Sequence, residues 1–199
     1  MPRISAKRQQ DRRQAILDGA RVVFSSRGFE SASIGEIATA SGVSDGLVYR
    51  YFKNKRDLLV EVLGEFYLRV IDDLEAVVAK AGGFREQLSA LVETHLGLFV
   101  SDRGLCRLFL IEIRVESDYR TSPIYRLNRR YTSILLRVVE SGIKEGVVHS
   151  DIDPRLIRDL LFGGIEHLAW RHLDQAGPFE HKVDAARIAE ILLHGITRA

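Results

Sequence analysis

Apolar residues recur every three or four positions along most of the chain, a spacing that places them on one face of an α-helix. The first such face predicts a helix that ends near Gly28, because glycine commonly follows the last helical turn. Its apolar positions are Ile16, Leu17, Ala20, Val23 and Phe24. Alternating apolar and polar positions, which would predict β-strands, are almost absent, so the pattern predicts an all-α protein.

Three further helices are predicted from their capping residues. Ser33 and Glu36 have the spacing of a capping box, in which each side chain binds the backbone amide of the other residue. They open a short second helix. Ser44 is predicted to cap a third helix that runs through about Tyr51, and Asn54 is predicted to cap a fourth.

Longer helices are predicted in the remainder of the chain. Ser122-Pro123 and Asp153-Pro154 each place a capping residue before a proline at the first helical position, where the missing amide costs nothing. The five predicted helices cover residues 84 to about 101, 105–116, 123 to about 145, 154 to about 175 and about 183–197. The predicted fold class is therefore all-α, with about nine helices and no sheet.

Charge is distributed unevenly, although the formal net charge is only +2. Residues 1–60 hold eleven Lys and Arg against six Asp and Glu, a net charge of +5, and the remainder has a net charge of −3. This asymmetry favours a polyanion-binding N-terminal head on a body with another task. A solvated basic tail would produce much of the same asymmetry.

The sequence contains no apolar run of the ~20 residues that a bilayer span requires. It also contains no apolar stretch typical of a signal peptide. The single cysteine, Cys106, lies in an apolar stretch and is predicted to be a small buried residue rather than a reactive thiol. These observations predict a cytoplasmic protein without disulfides.

The second and third predicted helices are joined by a short turn that contains Gly42. This arrangement is a helix-turn-helix, whose second helix enters the major groove of DNA. The segment 42–55, GVSDGLVYRYFKNK, resembles the N-terminal domain of the TetR family of bacterial transcriptional regulators, and the resemblance covers about residues 12–60. It implies a DNA-binding domain over residues 1–55, with a basic tail at 1–11, and an effector-binding and dimerisation domain over residues 56–199.

Several side chains of this segment suit contacts with DNA. Gly46 leaves the first turn of the recognition helix without a side chain, so the backbone can approach DNA closely. Leu47 suits a thymine methyl group, and the tyrosine and arginine side chains suit phosphates or base edges. The resemblance implies that Lys55 binds a phosphate. The predicted DNA-binding residues are Ser33, Ser44, Asp45, Gly46, Leu47, Tyr49, Arg50, Tyr51 and Lys55.

Other residues of the head have a structural interpretation. Val43, Val48 and Phe52 are predicted to form its core. Asp45 favours a helix N-terminus but repels phosphate, unless it accepts a hydrogen bond from a cytosine amino group, and the capping interpretation is preferred. The basic side chains of the N-terminal tail are interpreted as disordered, either merely solvated or adding non-specific phosphate contacts. They are Arg3, Lys7, Arg8, Arg12 and Arg13.

No catalytic constellation is recognised in the remainder of the chain, and the six histidines lack metal-ligand spacing. The sequence therefore predicts neither an enzyme nor a cofactor or metal site. A few polar residues interrupt apolar helix faces, as in a ligand pocket between helices, although each could instead be a surface position or a satisfied core group. The candidate ligand-binding residues are His95, Phe99, Glu112, Tyr131, Phe162, Glu166 and Trp170.

The family resemblance also implies a homodimer formed by the last two helices. Gly163, Gly164 and Gly195 would allow helices to approach closely, since a glycine within a helix costs about 1 kcal/mol relative to alanine. Packing within one subunit, or simple tolerance, is the alternative.

A finer resemblance extends over residues 108–170, which contain an E-x-R step, L-N-x-x-Y, E-x-G-x-x-x-G and a late F-G and Trp. This segment is similar to the ligand domain of TetR-type repressors of fatty-acid degradation, which respond to long-chain acyl-CoA. The sequence thus predicts a homodimeric repressor of a near-palindromic operator, released by a hydrophobic effector such as an acyl-CoA. The alternative is a helical ligand carrier or protein-interaction module whose head no longer binds DNA, which only Asp45 favours.

Overall fold

A computed structural model describes residues 6–174 and 179–196 of the chain. These residues form nine α-helices and no strand, so the all-α prediction is confirmed. The helices are α1 (Ala6–Arg27), α2 (Ile34–Ala40), α3 (Asp45–Tyr51), α4 (Lys55–Lys80), α5 (Phe84–Ser101), α6 (Arg103–Leu108), α7 (Pro123–Lys144), α8 (Pro154–Asp174) and α9 (His181–Ile196). Within the described ranges, no helix has the length and apolar character that a bilayer crossing demands.

Two compact units divide the chain. The first unit falls within residues 1–66 and 104–125, and the second within residues 67–103 and 126–199. Helix α4 contributes to both units. The predicted boundary between the DNA-binding and effector-binding domains, after residue 55, lies at the start of this helix. It stays a prediction, because a division into compact units does not show which residues carry each function.

Capping side chains start the helices largely where the sequence predicts. The Ser33 hydroxyl accepts a hydrogen bond from the Glu36 amide at 3.2 Å, and the Glu36 carboxylate accepts one from the Ser33 amide at 3.0 Å, which completes the capping box. The hydrogen bond from the backbone amide of Ser33 is the main reason that the pKa of Glu36 lies below its ordinary value. Three other predicted caps accept an amide hydrogen bond at 2.8–3.1 Å: Asn54, Ser122 and Asp153.

The predicted helix over residues 105–116 is wrong at its C-terminal end. Helix α6 is followed by a π-helical turn, Phe109–Ile113, and the amide of Arg114 binds the carbonyl five residues before it at 2.9 Å. The carbonyl of Glu112 accepts a hydrogen bond from Arg56 at 2.8 Å, where a continuing α-helix would require a backbone amide. The segment leaves the helix at this point and reaches α7 through a short 3₁₀ turn.

The N-terminal basic residues are helical where they are described, so their interpretation as a disordered tail is wrong. Helix α1 begins at Ala6 and includes Lys7, Arg8 and Arg12, whose side chains are exposed. Arg13 is held in place, because it pairs with Glu61 at 2.8 Å and its guanidinium lies 5.5 Å from the centre of the Phe52 ring. Arg3 lies outside the described residues.

The core of the first unit joins α1, α2, α3 and the start of α4. Gly19 lies where α1 meets the end of α2, and a Cβ there would overlap the Ser41 hydroxyl, so only glycine permits this close approach. Val48 and Phe52 are buried as predicted, whereas Val43 is only half-buried. Cys106 is also buried, as expected of a small core residue. Other core residues are Ile16, Leu17, Phe24, Ile37, Leu58 and Leu59.

In the second unit, α5 packs against α8 and α9. The contact is apolar, because successive turns of α5 place leucine, valine and phenylalanine side chains on one side. The buried residues of α5 are Phe84, Leu88, Leu91, Val92, His95, Leu96 and Phe99. One of these residues, His95, is polar, and the second unit therefore contains a polar group within its core.

Candidate functional site

Helices α2 and α3 form a helix-turn-helix. Gly42 has φ +65°, a left-handed conformation that few other residues adopt readily, and the amide of Val43 donates to the carbonyl of Ala38 at 3.0 Å. These features turn the chain sharply after α2. Ile37 on α2 and Val48 on α3 are fully buried, which fixes the two helices against the rest of the first unit.

One face of α3 is exposed and includes most of the predicted DNA-binding residues. Tyr49 exposes 57% of its surface, although it is aromatic, while Val48 and Phe52 are buried. Leu47 and Tyr51 are half-buried. The exposed positions are Ser44, Asp45, Gly46, Tyr49 and Arg50. The exposed face therefore combines Tyr49, Arg50 and Gly46, as expected of a recognition helix that enters a major groove.

The N-terminus of α3 differs in one detail from the prediction. Ser44 is the N-cap residue, but its hydroxyl makes no capping hydrogen bond, so the predicted side-chain cap is wrong. Asp45 lies in the first turn of α3, and its carboxylate lies 3.6 Å from the position that a Cβ on Gly35 would occupy. The carboxylate is thus near the first turns of both helices, where negative charge is favourable.

Lys55 lies at the start of α4 and donates to three backbone carbonyls. Its Nζ lies 2.7 Å from the oxygen of Phe29, 3.2 Å from that of Glu30 and 2.9 Å from that of Ala32. The same ammonium is 4.5 Å from the centre of the Phe29 ring, a cation–π distance. Lys55 therefore fastens the loop that precedes Ser33 and α2. Its contact with a phosphate stays a prediction.

A buried aromatic cluster lies within the second unit and contains four of the seven candidate ligand-binding residues. The cluster comprises Tyr67, His95, Phe99, Tyr131 and Phe162. The His95 imidazole is edge-on to Phe162 at 4.7 Å between ring centres and to Phe99 at 5.5 Å. Helices α4, α5, α7 and α8 each contribute at least one ring, so the cluster is a meeting point of the helices of this unit.

His95 is the polar centre of the aromatic cluster. Its Nδ1 lies 3.0 Å from the hydroxyl of Tyr131, whereas its Nε2 is buried and has no hydrogen-bond partner. Burial lowers the pKa of His95 from its ordinary value of 6.5 to about 3, because a charged imidazolium would lose its hydration there. The ring is therefore neutral at physiological pH.

The other three candidate ligand-binding residues lie elsewhere. Glu112 belongs to the first unit, in the π-helical turn, and is half-buried. Glu166 on α8 is half-buried, and Trp170 exposes 42% of its surface. Sequence reasoning missed Tyr67, although Tyr67 follows Leu63 by four residues on the apolar face of α4 and could have been found from that spacing.

The same unit has a surface groove of about 340 Å³ between α4, α5 and α7. Its lining combines aliphatic residues with Arg137 and Glu75, which pair at 2.7 Å. None of the predicted ligand-binding residues lines it. The lining residues are Glu75, Val78, Ala79, Gln87, Ile134, Arg137, Val138 and Ser141.

The glycines of α8 and α9 lie on exposed surfaces. A Cβ on Gly163, Gly164 or Gly195 would meet no atom within 4 Å, so packing within the subunit does not explain these glycines. Exposed leucines lie on both sides of Gly164 at four-residue spacing, which gives an apolar stripe along α8. The stripe consists of Leu156, Leu160, Gly164 and Leu168, and its leucines are 57%, 59% and 38% exposed.

A helix-turn-helix with an exposed recognition helix, followed by a larger helical region, defines a class of DNA-binding regulators. The model of the bacterial regulatory proteins of the tetR family matches residues 16–62, and that of the tetracyclin repressor-like C-terminal domain matches residues 81–196. The chain belongs to the TetR family and is a DNA-binding transcriptional regulator.

Two relatives and one solved structure illustrate the similarity over most of the chain. The fatty acid metabolism regulator protein of Bacillus subtilis is 26% identical over 190 residues, which cover 96% of this chain and 98% of that protein. The transcriptional repressor KstR2 of Rhodococcus jostii is 28% identical over 160 residues, or 80% of this chain and 76% of that protein. The crystal structure of FadR from Bacillus subtilis in complex with stearoyl-CoA superposes with a TM-score of 0.82, at 26% identity, and covers 92% of this chain and 99% of that one.

Proposed function

We propose that the protein is a homodimeric, cytoplasmic repressor that binds a near-palindromic operator and is released from it by a hydrophobic effector with an acyl chain. The exposed face of α3 is the observation on which the DNA-binding part rests. Tyr49 and Arg50 are exposed there, whereas buried Val48 and Phe52 hold the helix in place. Two such recognition helices ~34–36 Å apart would read successive turns of one side of a duplex.

The aromatic cluster supports an apolar effector with one polar group. Its rings come from four helices, and an acyl chain that separated them would remain in apolar surroundings. A relative of this chain binds stearoyl-CoA, the thioester of a long saturated acid. Long-chain acyl-CoA is therefore the effector class that we propose.

The exposed apolar stripe of α8 supports a dimer interface on the last two helices. On α9, Val183, Ile191 and Gly195 repeat at multiples of four residues and are likewise exposed. Exposed leucines and isoleucines around helix glycines suit a close helix–helix interface, because they bury apolar area and allow the backbones to approach.

In this mechanism, DNA and effector favour different arrangements of the two recognition helices of the dimer. Each ligand therefore weakens the binding of the other, and the two effects must be equal in free energy. Repression follows from operator binding, and acyl-CoA accumulation relieves it.

The effector proposal is tested by thermal unfolding with acyl-CoAs of increasing chain length. At 100 times its dissociation constant, a ligand that binds only the folded state adds roughly 2.7 kcal/mol to the free energy of unfolding. We expect an unfolding temperature that rises with chain length and does not rise with coenzyme A alone. The absence of any rise at saturation would remove acyl-CoA as the effector and leave the DNA-binding proposal in place.

The DNA-binding proposal is tested by titrating a duplex selected from a random pool with wild-type protein and two variants. Tyr49→Ala is expected to weaken binding by roughly 1–3 kcal/mol.

Leu160→Glu is expected to give a monomer that binds still more weakly, and light scattering checks its mass. Val147→Ala is the control, since Val147 is an exposed apolar residue of the second unit.

The alternative, a carrier whose head no longer binds DNA, predicts a different salt dependence. A DNA-binding head loses affinity for random duplex steeply as salt rises, because phosphate contacts release counterions. A flat salt dependence, or unchanged affinity in Tyr49→Ala, would contradict the recognition-helix assignment. A dimeric Leu160→Glu variant would contradict the interface.

A further inference from the structure

We propose that His95 Nε2 donates a hydrogen bond to the acyl carbonyl oxygen of the effector, so that the aromatic cluster recognises the carbonyl group as well as the chain. The inference rests on the proposed binding of an acyl effector. In this proposal, the Nε2 hydrogen bond holds the effector's carbonyl group next to His95. The acyl chain then extends from that point among the aromatic rings.

Among the described residues of the second unit, His95 and Arg103 each have a buried side-chain nitrogen without a hydrogen-bond partner, and His95 is the one in the aromatic cluster. The residue exposes 8% of its surface, and its Nε2 has no hydrogen-bond partner, although buried polar atoms in folded proteins normally have one. Phe99 and Phe162 lie edge-on to the imidazole and cannot accept a hydrogen bond as an oxygen does. A ligand oxygen at Nε2 would supply the missing partner.

The contact with Tyr131 determines which ring nitrogen carries the proton. A phenol hydroxyl is the better donor and an imidazole nitrogen the better acceptor, so at 3.0 Å the Tyr131 hydroxyl donates to Nδ1. A neutral imidazole then has its single hydrogen on Nε2. Tyr131 is thus a positioning residue, which keeps Nε2 a donor.

A neutral N–H group in apolar surroundings selects one kind of ligand atom. A carbonyl oxygen accepts such a hydrogen bond without bringing a charge into the core, whereas a phosphate would have to lose its hydration there. The flanking rings suit the methylene groups next to the carbonyl. Rotation of the Phe99 and Phe162 side chains would open the space that this chain occupies.

Two effectors present an acyl carbonyl: the thioester of an acyl-CoA, and the carboxyl group of a free fatty acid, which is uncharged only when it binds in its protonated form. The experiment compares palmitoyl-CoA, palmitic acid and S-hexadecyl-CoA, a thioether in which a methylene replaces the carbonyl. Dissociation constants are measured by calorimetry with wild-type protein, His95→Leu and Tyr131→Phe, and with the control His149→Gln, whose side chain is exposed.

For the wild type and the control, we expect palmitoyl-CoA to bind roughly tenfold or more tightly than the thioether, the ratio that one buried hydrogen bond provides. The ratio should fall to about one in His95→Leu, and to an intermediate value in Tyr131→Phe, where either nitrogen can carry the hydrogen. Tight binding of palmitic acid with the same loss in His95→Leu would support the carbonyl contact and identify the free acid as its source.

Equal affinities of the wild type for palmitoyl-CoA and the thioether would overturn the inference and leave the proposed effector class intact. Binding of neither compound would overturn both. The wild-type comparison requires no substitution, so it is decisive even if His95→Leu fails to fold.

Discussion

Replacing Lys55 by methionine is expected to lower the free energy of unfolding by roughly 2 kcal/mol or more, as well as to weaken DNA binding. The wild-type ammonium donates to the carbonyls of Phe29, Glu30 and Ala32 at 2.7–3.2 Å, and methionine can donate to none of them. Water can reach some of these oxygens, since the lysine is only half-buried, so the expected loss is well below the sum for three charged hydrogen bonds.

Urea unfolding and backbone hydrogen exchange measure this effect. We expect faster exchange in the loop before α2, because the loop loses its fastening to α4. Lys53→Met is the matched control, since the Lys53 side chain is exposed two residues earlier. If Lys55→Met loses DNA affinity while its unfolding midpoint and exchange rates stay unchanged, then Lys55 acts on phosphate alone and its carbonyl contacts contribute nothing to stability.

The second large effect is expected from pH. The unfolded chain binds a proton at His95 near pH 6.5, whereas burial holds the pKa of the folded residue at about 3. Between these values the unfolded state binds more protons, so acid favours unfolding. From pH 8 to pH 5, His95 alone should remove about 2 kcal/mol from the free energy of unfolding.

Urea unfolding at intervals across this range checks the expectation. His95→Gln cannot titrate there and should lose less stability in acid than the wild type, whereas His149→Gln should lose as much as the wild type. Parallel pH profiles for His95→Gln and wild type would mean that the imidazole titrates alike in the folded and unfolded states.

Local signals predicted much of the fold and of the recognition helix. The capping box of Ser33 and Glu36 depends only on residues three positions apart, so it could be found without knowledge of the tertiary structure. Phe52 is buried and Tyr49 is exposed, as predicted, because the small head has enough other apolar residues to form its core without Tyr49. Four ligand candidates came together because each interrupts or completes an apolar helix face.

Contacts between distant residues explain what the sequence did not predict. Lys55 binds carbonyls more than twenty residues earlier in the chain, and nothing in the local pattern around residue 55 indicates this role. At the end of the π-helical turn, the Glu112 carbonyl likewise binds Arg56, which is far from it in sequence. The Ser44 hydroxyl was predicted to cap α3 because of its position, but it makes no capping hydrogen bond.

The π-helical turn, Phe109–Ile113, has a consequence for the history of the chain. Such a turn holds one more residue than an α-helical turn of similar length, so it corresponds to an α-helix that has received a single-residue insertion. Deleting one residue there would rotate everything after it by about 100° around the helix axis. Glu116, which pairs with Arg56 at 2.9 Å, would turn away from its partner. A one-residue gap at this place in a relative would therefore mark a protein that has lost, or never acquired, the arginine contact.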